Sequence, residues 1–436
     1  MKKLVCVFLA SILYFSTSMQ TTVLAKKRNT ISLAIWESSP EESDLLQKVI
    51  YNFQRKYPHI TVDLRVGKYQ QNFPFIISEQ MKHDRGPDVY YAHSYELSYY
   101  VNEEVIENLD PYISKSAAKV DTDDFFPNIY NKFQVTGSTY ALPKGFTTFA
   151  LYYNEEMLKK QKVKPPKTFE EFEKAAISLT NKEGQYGFGI NSDLPLFFLP
   201  EEVSDEKIVH RGRATFASDE MVKGVETLND MIQQDKSIAI ATITGYEKVW
   251  EAFAHKSFAM MVEGLYVVPY LRSHAQGIPW KVAPVPEVNG KKNTRIDTVG
   301  YAMNPQSKNK DAAWLLIEYL TSKEGMDEWT SKGLEMPARK SVFEKQKWNE
   351  KKEYKAFVDS IENAEFFPND KYSPIIRSRF NQSIGNFFYG LKEPKQALKE
   401  GQDRANHYIE LMEKTKEKAK NKKNKEKRTG NQKGRE

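Results

Sequence analysis

After an N-terminal apolar run, the sequence alternates between apolar and polar positions and then changes to a helical period. Ile31, Leu33 and Ile35 fall on one side of an extended chain, which is typical of a strand. Apolar residues recur at helical spacing from Leu45 to Phe53, and alternation returns over 60–64. The pattern predicts strand, helix, strand, and therefore a parallel sheet with a right-handed crossover.

Two of the predicted helices begin with capping signals. Ser39 is a candidate N-cap, Pro40 suits the first helical position, and Glu42 completes a capping box. Thr168 and Glu171 repeat the same spacing after a pair of prolines. Both helices are therefore expected to begin at these residues.

Two polar or Gly/Pro-containing breaks, at 143–146 and 289–293, indicate boundaries within an α/β chain. Strand-like segments follow them at 149–153 and 298–303. The C-terminal third is predicted to be mostly helical, with a last helical tract over about 394–418. We find no internal repeat of fixed period.

Residues 1–25 have the parts of a secretory signal peptide. Two lysines precede an apolar run at 4–15, and Val23, Leu24 and Ala25 end in small residues at the cleavage positions. The alternative is an N-terminal membrane anchor, but a run of roughly twelve residues is short for a membrane span. The mature chain is expected to be extracytoplasmic.

Composition and charge exclude several classes of protein. The 436 residues are 40% hydrophobic and 28% charged, which is typical of globular domains and excludes collagen and general disorder. Cys6 is the single cysteine, so a disulfide scaffold is excluded. The formal charge is +6, but 413–436 carry eleven Lys or Arg against four acids, a net +7. A near-neutral body with a basic tail is not typical of a nucleic-acid-binding domain.

The sequence contains no recognisable catalytic motif. The seven histidines form no metal-binding pair, and no nucleophile elbow, Walker A or dinucleotide fingerprint occurs. We therefore expect no catalysis, no cofactor and no metal. A secreted glycan-active enzyme stays an alternative, because a sequence does not exclude two carboxylates that face each other across a cleft.

The order of several short segments resembles one family. The segments are Phe53–Val62, Gly86–Val89, Gly137–Pro143, Leu151–Leu158, Pro165–Phe172, Met260–Gly264, Ser307–Trp314 and Leu320–Gly325. Over roughly 30–345 this order resembles the extracellular solute-binding proteins of carbohydrate ABC importers, the family that includes maltose-binding protein. The resemblance implies a two-lobed α/β fold of the type II periplasmic-binding-protein kind, with hinged lobes around a central ligand cleft.

The resemblance also implies a division of the chain. The expected parts are a signal peptide at 1–25, lobe 1 at 26–143 with a return segment at 296–340, lobe 2 at 144–295, C-terminal helices packing on lobe 2 at 341–412, and a basic disordered tail at 413–436.

Sugar sites combine aromatic rings, which stack on the apolar face of a pyranose, with a few placed polar groups. Carried over by position, the resemblance implies the ligand-binding residues Trp36, Glu41, Tyr91, His93, Ser94, Thr147, Asp193, Phe197, Glu263, Tyr266, Gly300 and Tyr301. For several of these a structural role is the alternative: Trp36 and Phe197 are also good core residues, and His93 could be a structural histidine. Arg339 could reach the cleft or form a structural salt bridge.

Three of these positions depart from the family pattern. Ser94 stands where an acid is common, Thr147 where maltose-binding protein has a glutamate, and Tyr266 where a tryptophan stacks on sugar. The contacts with ligand are expected to change at these places. A phosphorylated ligand would need a basic residue in the cleft, and Lys144 is the one basic residue that the pattern places near a boundary.

The function expected from the resemblance is binding of a mono- or oligosaccharide in the interlobe cleft and delivery to the permease of an ABC importer. The chain is expected to act as a monomer without nucleic acid. Alternatives are a polyol, a sugar phosphate or a peptide as ligand, or a surface adhesin. The basic tail could hold the protein on an anionic cell-surface polymer, or it could be a solvated end without a function.

Overall fold

The computed structural model describes residues 29–36, 40–67, 72–181, 183–191, 207–292 and 294–433. Its strands are β1 (Asn29–Trp36), β2 (Ile60–Gly67), β3 (Val89–His93), β4 (Gln134–Val135), β5 (Ser138–Thr139), β6 (Ala141–Asn154), β7 (Tyr186–Ile190), β8 (Val209–His210), β9 (Arg213–Ala214), β10 (Ile238–Ile240), β11 (Phe258–Gly264), β12 (Trp280–Ala283), β13 (Thr294–Met303) and β14 (Ala364–Glu365).

The α-helices within these ranges are α1 (Pro40–Lys56), α2 (Phe73–Lys82), α3 (Leu97–Asn102), α4 (Asp110–Lys115), α5 (Ala117–Val120), α6 (Pro127–Tyr130), α7 (Glu155–Lys160), α8 (Phe169–Leu179), α9 (Asp219–Gln233), α10 (Val249–Ala254), α11 (Val267–His274), α12 (Lys310–Leu320), α13 (Lys323–Thr330), α14 (Lys340–Lys345), α15 (Lys355–Asp359), α16 (Ser373–Phe388) and α17 (Pro394–Lys433).

The predicted opening of the chain is confirmed. β1 pairs with β2 in parallel over its whole length, and α1 connects them. The apolar face of α1 packs against the sheet because Leu46, Val49 and Phe53 recur at helical spacing, and all three are buried. The crossover therefore places the end of β1 beside the start of α1, where a ligand site in an α/β sheet is expected.

Ten strands form one sheet of order β10-β7-β11-β6-β13-β3-β1-β2, with β12 beside β6 and β14 beside β13. The long strand β6 pairs with β13 through its first part and with β11 through its second. β13 continues the sheet to β3 in the other direction. We call β1, β2 and β3 the first half-sheet, and β7, β10 and β11 the second half-sheet. β6 and β13 are the crossing strands that join them.

The predicted boundaries fall at the crossing strands. The break at 143–146 lies inside β6, and the break at 289–293 directly precedes β13. The division into lobes at residues 143 and 295 stays a prediction, because both half-sheets share β6 and β13.

The C-terminal helices differ from the expectation in two ways. Residues after 341 do not pack only on the second half-sheet: Asn369 accepts a hydrogen bond from the amide of Ser98, next to β3, with N and O 2.9 Å apart. The tail expected to be disordered from 413 continues α17 as far as Lys433. The reason lies in the sequence, since 402–429 contain neither Gly nor Pro and are rich in the strong helix formers Lys, Glu and Ala.

Candidate ligand-binding cleft

Aromatic rings gather at the ends of β1 and β3. The imidazole of His93 lies between the indole of Trp36 and the ring of Tyr95, with centroids 4.8 Å and 4.5 Å apart and nearly parallel planes. Tyr91 and Phe73 meet the indole edge-on, at 5.2 Å and 4.9 Å. The sequence-predicted residues Trp36, Tyr91 and His93 are therefore brought together in one aromatic wall, with Tyr95 and Phe73 added by the structure.

The electrostatic surroundings keep His93 neutral. Burial lowers the pKa of the imidazole well below its ordinary value, and the positive charges of Arg377 and Lys144 lower it further. Ser94 is buried at the start of a short 3₁₀ turn, and Glu96 closes this turn by accepting the amide hydrogen of His93 at 3.2 Å. Burial raises the pKa of the Glu96 carboxyl to about 7, although Arg377 acts in the opposite direction.

The second half-sheet supplies a polar wall. Glu263, near the end of β11, accepts hydrogen bonds from the amide of Asn191 at 2.7 Å and from the hydroxyl of Tyr266 at 2.5 Å. The ring of Tyr266 also meets Trp250 edge-on at 5.9 Å. Burial, followed by the charge of Glu263, raises the pKa of Tyr266 well above its ordinary value. Glu263 and Tyr266, both predicted from the sequence, thus form one hydrogen-bonded unit that Asn191 supports.

The crossing strands between the two walls carry an ion pair. Arg295 and Asp297 lie two residues apart on β13, with Nε and Oδ1 3.2 Å apart, and 23% of the Asp297 side chain is exposed. Asp297 is opposite Thr147 in the register of β6 and β13. Its carboxylate adds to the effect of burial in raising the pKa of Tyr266. We call Arg295 and Asp297 the floor pair.

Sequence reasoning missed the floor pair, although the signal for it was present. The alternation that predicted a strand over 298–303 extends back to Thr294, where Ile296 is buried and its neighbours are partly exposed. Arg377 was missed for another reason. It belongs to α16, yet it donates a hydrogen bond to the hydroxyl of Tyr95, 282 positions earlier. No local pattern indicates such a contact.

Several predicted residues have structural roles that account for them. The hydroxyl of Thr147 accepts from the amide of Leu265 at 2.8 Å and donates to the carbonyl of Thr148, which ties β6 to the end of β11. Gly300 lies at a bulge of β13, where an added Cβ would be 2.8 Å from the ring of Phe133. Tyr301 is buried with its ring edge-on to Tyr91 at 5.4 Å.

The remaining predicted residues belong to neither wall, and two of them lie outside the described residues. Glu41 lies in the first turn of α1, and its carboxylate is 3.6 Å from Nδ1 of His274 on α11. Asp193 and Phe197 lie outside the described residues. Arg339 is fully buried, donates to the carbonyls of Thr321 and Val120 at 2.6 Å, and pairs with Asp124, so the structural alternative holds for its side chain.

Lys144 is a buried residue that contacts Tyr91 of the aromatic wall. Its ammonium group is 3.0 Å from Glu335 and 3.4 Å from Glu42, and it lies over the ring of Tyr91 at 4.6 Å. Burial lowers the pKa of Lys144, but Glu335 and Glu42 more than offset this, so the pKa lies above its ordinary value. Lys144 is therefore a charged, paired support for Tyr91.

The described residues contain neither a metal-binding cluster nor a membrane-spanning helix. Among residues 29–433, the gaps named above excepted, no three His, Cys, Asp or Glu side chains are grouped so that they could hold a metal ion. Within the same part of the chain, every helix is too short or too polar to cross a membrane.

The fold and these walls define a class of protein. Two half-sheets are joined by crossing strands, and aromatic and carboxylate side chains gather where the strands cross. This is the architecture of a type II periplasmic binding protein, whose lobes close on a ligand by a hinge motion.

The comparison with known families makes this assignment specific. Residues 48–356 match the model of the bacterial extracellular solute-binding proteins, and the chain belongs to that family. It is therefore a solute-binding protein of an extracytoplasmic class.

Individual relatives agree with the family. The erythritol/L-threitol-binding protein of Mycolicibacterium smegmatis is 27% identical over 269 residues, which cover 55% of this chain and 56% of that protein. An ABC substrate-binding protein from Listeria monocytogenes, solved with cycloalternan, is similar with a TM-score of 0.78 and 19% identity over 88% of this chain and 99% of that one. A solute-binding protein from Thermotoga lettingae, solved with α-D-tagatose, has a TM-score of 0.77 and 22% identity over 87% of this chain and 100% of that one.

Proposed function

We propose that this protein binds a neutral carbohydrate or polyol between its two lobes and delivers it to the membrane permease of an ABC importer. The observation that carries the proposal is the floor pair, Arg295 and Asp297, set between the aromatic wall at Trp36 and the wall at Tyr266. Asp297 can accept two hydroxyl hydrogens, and the partly exposed ring of Tyr266 provides apolar surface for C–H groups.

A neutral ligand is favoured because two of the cations near the described walls already have carboxylate partners. Arg295 pairs with Asp297, and Lys144 pairs with Glu335 and Glu42. A phosphate would have to compete with these carboxylates for its cation. Hydroxyl groups can instead join the floor pair as both donors and acceptors. The named ligands of the three relatives reported above, which are a tetritol, a cyclic oligosaccharide and a ketohexose, are uncharged polyhydroxyl compounds, whereas another similar structure, from Mycobacterium tuberculosis, holds glycerophosphocholine.

We further propose how the protein is secreted, assembled and held at the cell surface. Residues 1–25 direct secretion and are removed, and the mature chain acts as an extracytoplasmic monomer that breaks no bond. The lobes divide near residues 143 and 295, and the predicted ligand contacts at Trp36, Glu263 and Tyr266 close on the ligand together. The basic segment 413–436 holds the protein on an anionic surface of the cell.

A thermal-shift screen of the mature chain, residues 26–436, tests the proposed ligand class. The probes are erythritol, L-threitol, D-tagatose, glucose, maltotriose and cycloalternan, with glucose 1-phosphate and a tetrapeptide as charged and peptidic comparisons. A ligand that binds only the folded state at 100 times its Kd stabilises the protein by about 2.7 kcal/mol. We expect one neutral compound to raise the melting temperature clearly.

Matched variants locate the response. Tyr266→Ala removes a ring from the second wall and should abolish the shift, whereas Tyr51→Ala, at an exposed tyrosine of α1, should keep it. The melting temperatures without ligand show whether either variant is damaged. A shift confined to glucose 1-phosphate or the peptide, or one that survives Tyr266→Ala, would overturn the proposal.

A further inference from the structure

The last helix, α17, changes character where it leaves the folded body. Its first part packs on the protein through Leu398, Ala405 and Ile409, all fully buried. Near residue 413 this burial ends, and Glu413 forms an ion pair with Arg213 at 2.7 Å. The helix then continues to Lys433 as an extension of the body.

A second ion pair fixes the direction of the extension. The ammonium of Lys416 is 2.8 Å from the carboxylate of Glu103, just after α3, and donates to the carbonyl of Asn102 at 2.7 Å. Lys82, at the end of α2, binds the same carboxylate at 3.0 Å. These two cations lower the pKa of Glu103 although burial opposes them, so the carboxylate stays charged. The extension therefore leaves the body beside α2 and α3.

Exposed apolar side chains flank this exit. Tyr408 and Leu411 of α17 are 46% and 47% exposed, and Ile76 of α2 is 47% exposed. The hydroxyl of Tyr408 is near enough to Tyr99 of α3 to raise its pKa, after the larger effect of burial, and Tyr99 packs against Phe75 at 5.8 Å. α2 and this part of α17 are therefore both next to α3, and both present apolar groups to solvent.

We propose that this surface, formed by Ile76, Tyr408, Leu411 and the basic residues over 414–422, docks on an anionic lipid bilayer. The segment 413–436 carries eleven Lys or Arg against four acids, a net +7. Basic residues close to an anionic membrane are attracted to its negative surface potential. Leu and Tyr beside such a segment bind the boundary between head groups and acyl chains.

The exposed apolar residues favour a lipid bilayer over an anionic polymer as the docking surface. A dissolved or wall-bound polyanion offers charge alone and gains nothing from contact with leucine or isoleucine. A bilayer offers both charge and an apolar layer, so it matches the whole surface. Stable attachment to a membrane takes two such signals together. Docking here would keep the binding protein on the membrane that contains its permease.

The test is co-sedimentation of the mature chain with sucrose-loaded vesicles at 0.1 M NaCl. One set contains one part phosphatidylglycerol to two parts phosphatidylcholine, and the other contains phosphatidylcholine alone. We expect binding to the anionic set only. A chain that ends at residue 413 should lose more than tenfold in affinity, and the same loss should follow from raising the salt to 0.5 M.

Two double variants separate lipid from polymer. Tyr408→Ser with Leu411→Ser should weaken vesicle binding about tenfold, whereas Tyr51→Ser with Ile243→Ser, at exposed residues elsewhere, should not. Equal vesicle binding by both double variants would overturn docking through the apolar groups. Binding to soluble polyphosphate without binding to vesicles would overturn the choice of a bilayer. Ligand-induced thermal shifts of the chain ending at 413 should match those of the full mature chain, so this test is independent of the proposed ligand.

Discussion

At the scale of single residues, the partners of buried charges are what the sequence does not predict. Sequence reasoning identified the rings at Trp36, Tyr91 and Tyr266, because the resemblance to the solute-binding family implies ligand-binding residues at these positions. It placed Lys144 near a boundary, but it did not place the two carboxylates that hold Lys144, because Glu42 and Glu335 come from distant segments. The pairing of a buried charge depends on tertiary contacts, and these have no local signature.

Replacing Lys144 by Met should destabilise the protein strongly. The substitution leaves Glu42 and Glu335 without their shared cation in a buried place, which costs about 3–5 kcal/mol. Urea unfolding measures the change, with Lys332→Met at an exposed lysine as the control. A loss as small as that of the control would contradict the role given to Lys144.

Glu96 should make the stability depend on pH. Its pKa is raised from 4.5 to about 7 by burial, so the folded state holds this proton more tightly than the unfolded state. The free energy of unfolding contributed by Glu96 therefore falls as the pH rises from about 4.5 to 7. His93 has the opposite sign: its lowered pKa costs stability as the pH falls below about 6.5.

The variant Glu96→Gln isolates the carboxyl. Urea unfolding at pH 5, 6 and 7 should show a smaller fall in stability on going to pH 7 than in the wild type. Glu362→Gln, at an exposed glutamate, should keep the wild-type profile. If Glu96→Gln and the wild type changed in parallel over this range, the raised pKa would be refuted.

At the scale of elements, capping chemistry allowed the helix starts to be predicted well. α1 begins at Pro40, as its sequence indicates, and the predicted box at Thr168 is present in a modified form. The hydroxyl of Thr168 accepts from the amide of Glu171 at 3.3 Å, but the carboxylate of Glu171 reaches the amide of Lys167 instead of that of the cap. Helix ends were harder to predict, because α17 contains neither Gly nor Pro from 402 to 429 and extends past the predicted end.

Thr168→Ala should cost α8 its cap. The amide of Glu171 loses its acceptor, and the expected loss is about 1 kcal/mol. Chemical unfolding gives the value, and Thr227→Ala, at a partly exposed position inside α9, should cause no comparable loss. A change at Thr168 no greater than that at Thr227 would show that the hydrogen bond contributes nothing.

At the scale of the whole molecule, the order of short motifs was enough to predict two lobes and a cleft between them. The contacts that build the cleft were not predictable, since Tyr95 and Arg377 meet across 282 positions and Asn191 and Glu263 across 72. The contact between Glu41 and His274 likewise joins α1 to α11 from opposite sides of the crossing strands. Such pairs form only when segments far apart in the sequence have come together.

Isothermal titration calorimetry, with the neutral compound that gives the largest thermal shift, tests the central claim most directly. The account predicts one site per chain, and binding weakened about 10- to 100-fold by Asp297→Ala, because a hydrogen bond to a charged group contributes about 1.5–3 kcal/mol. Tyr51→Ala should bind as the wild type does. Unchanged affinity in a folded Asp297→Ala variant would contradict the claim that the ligand lies on the floor pair between the two walls.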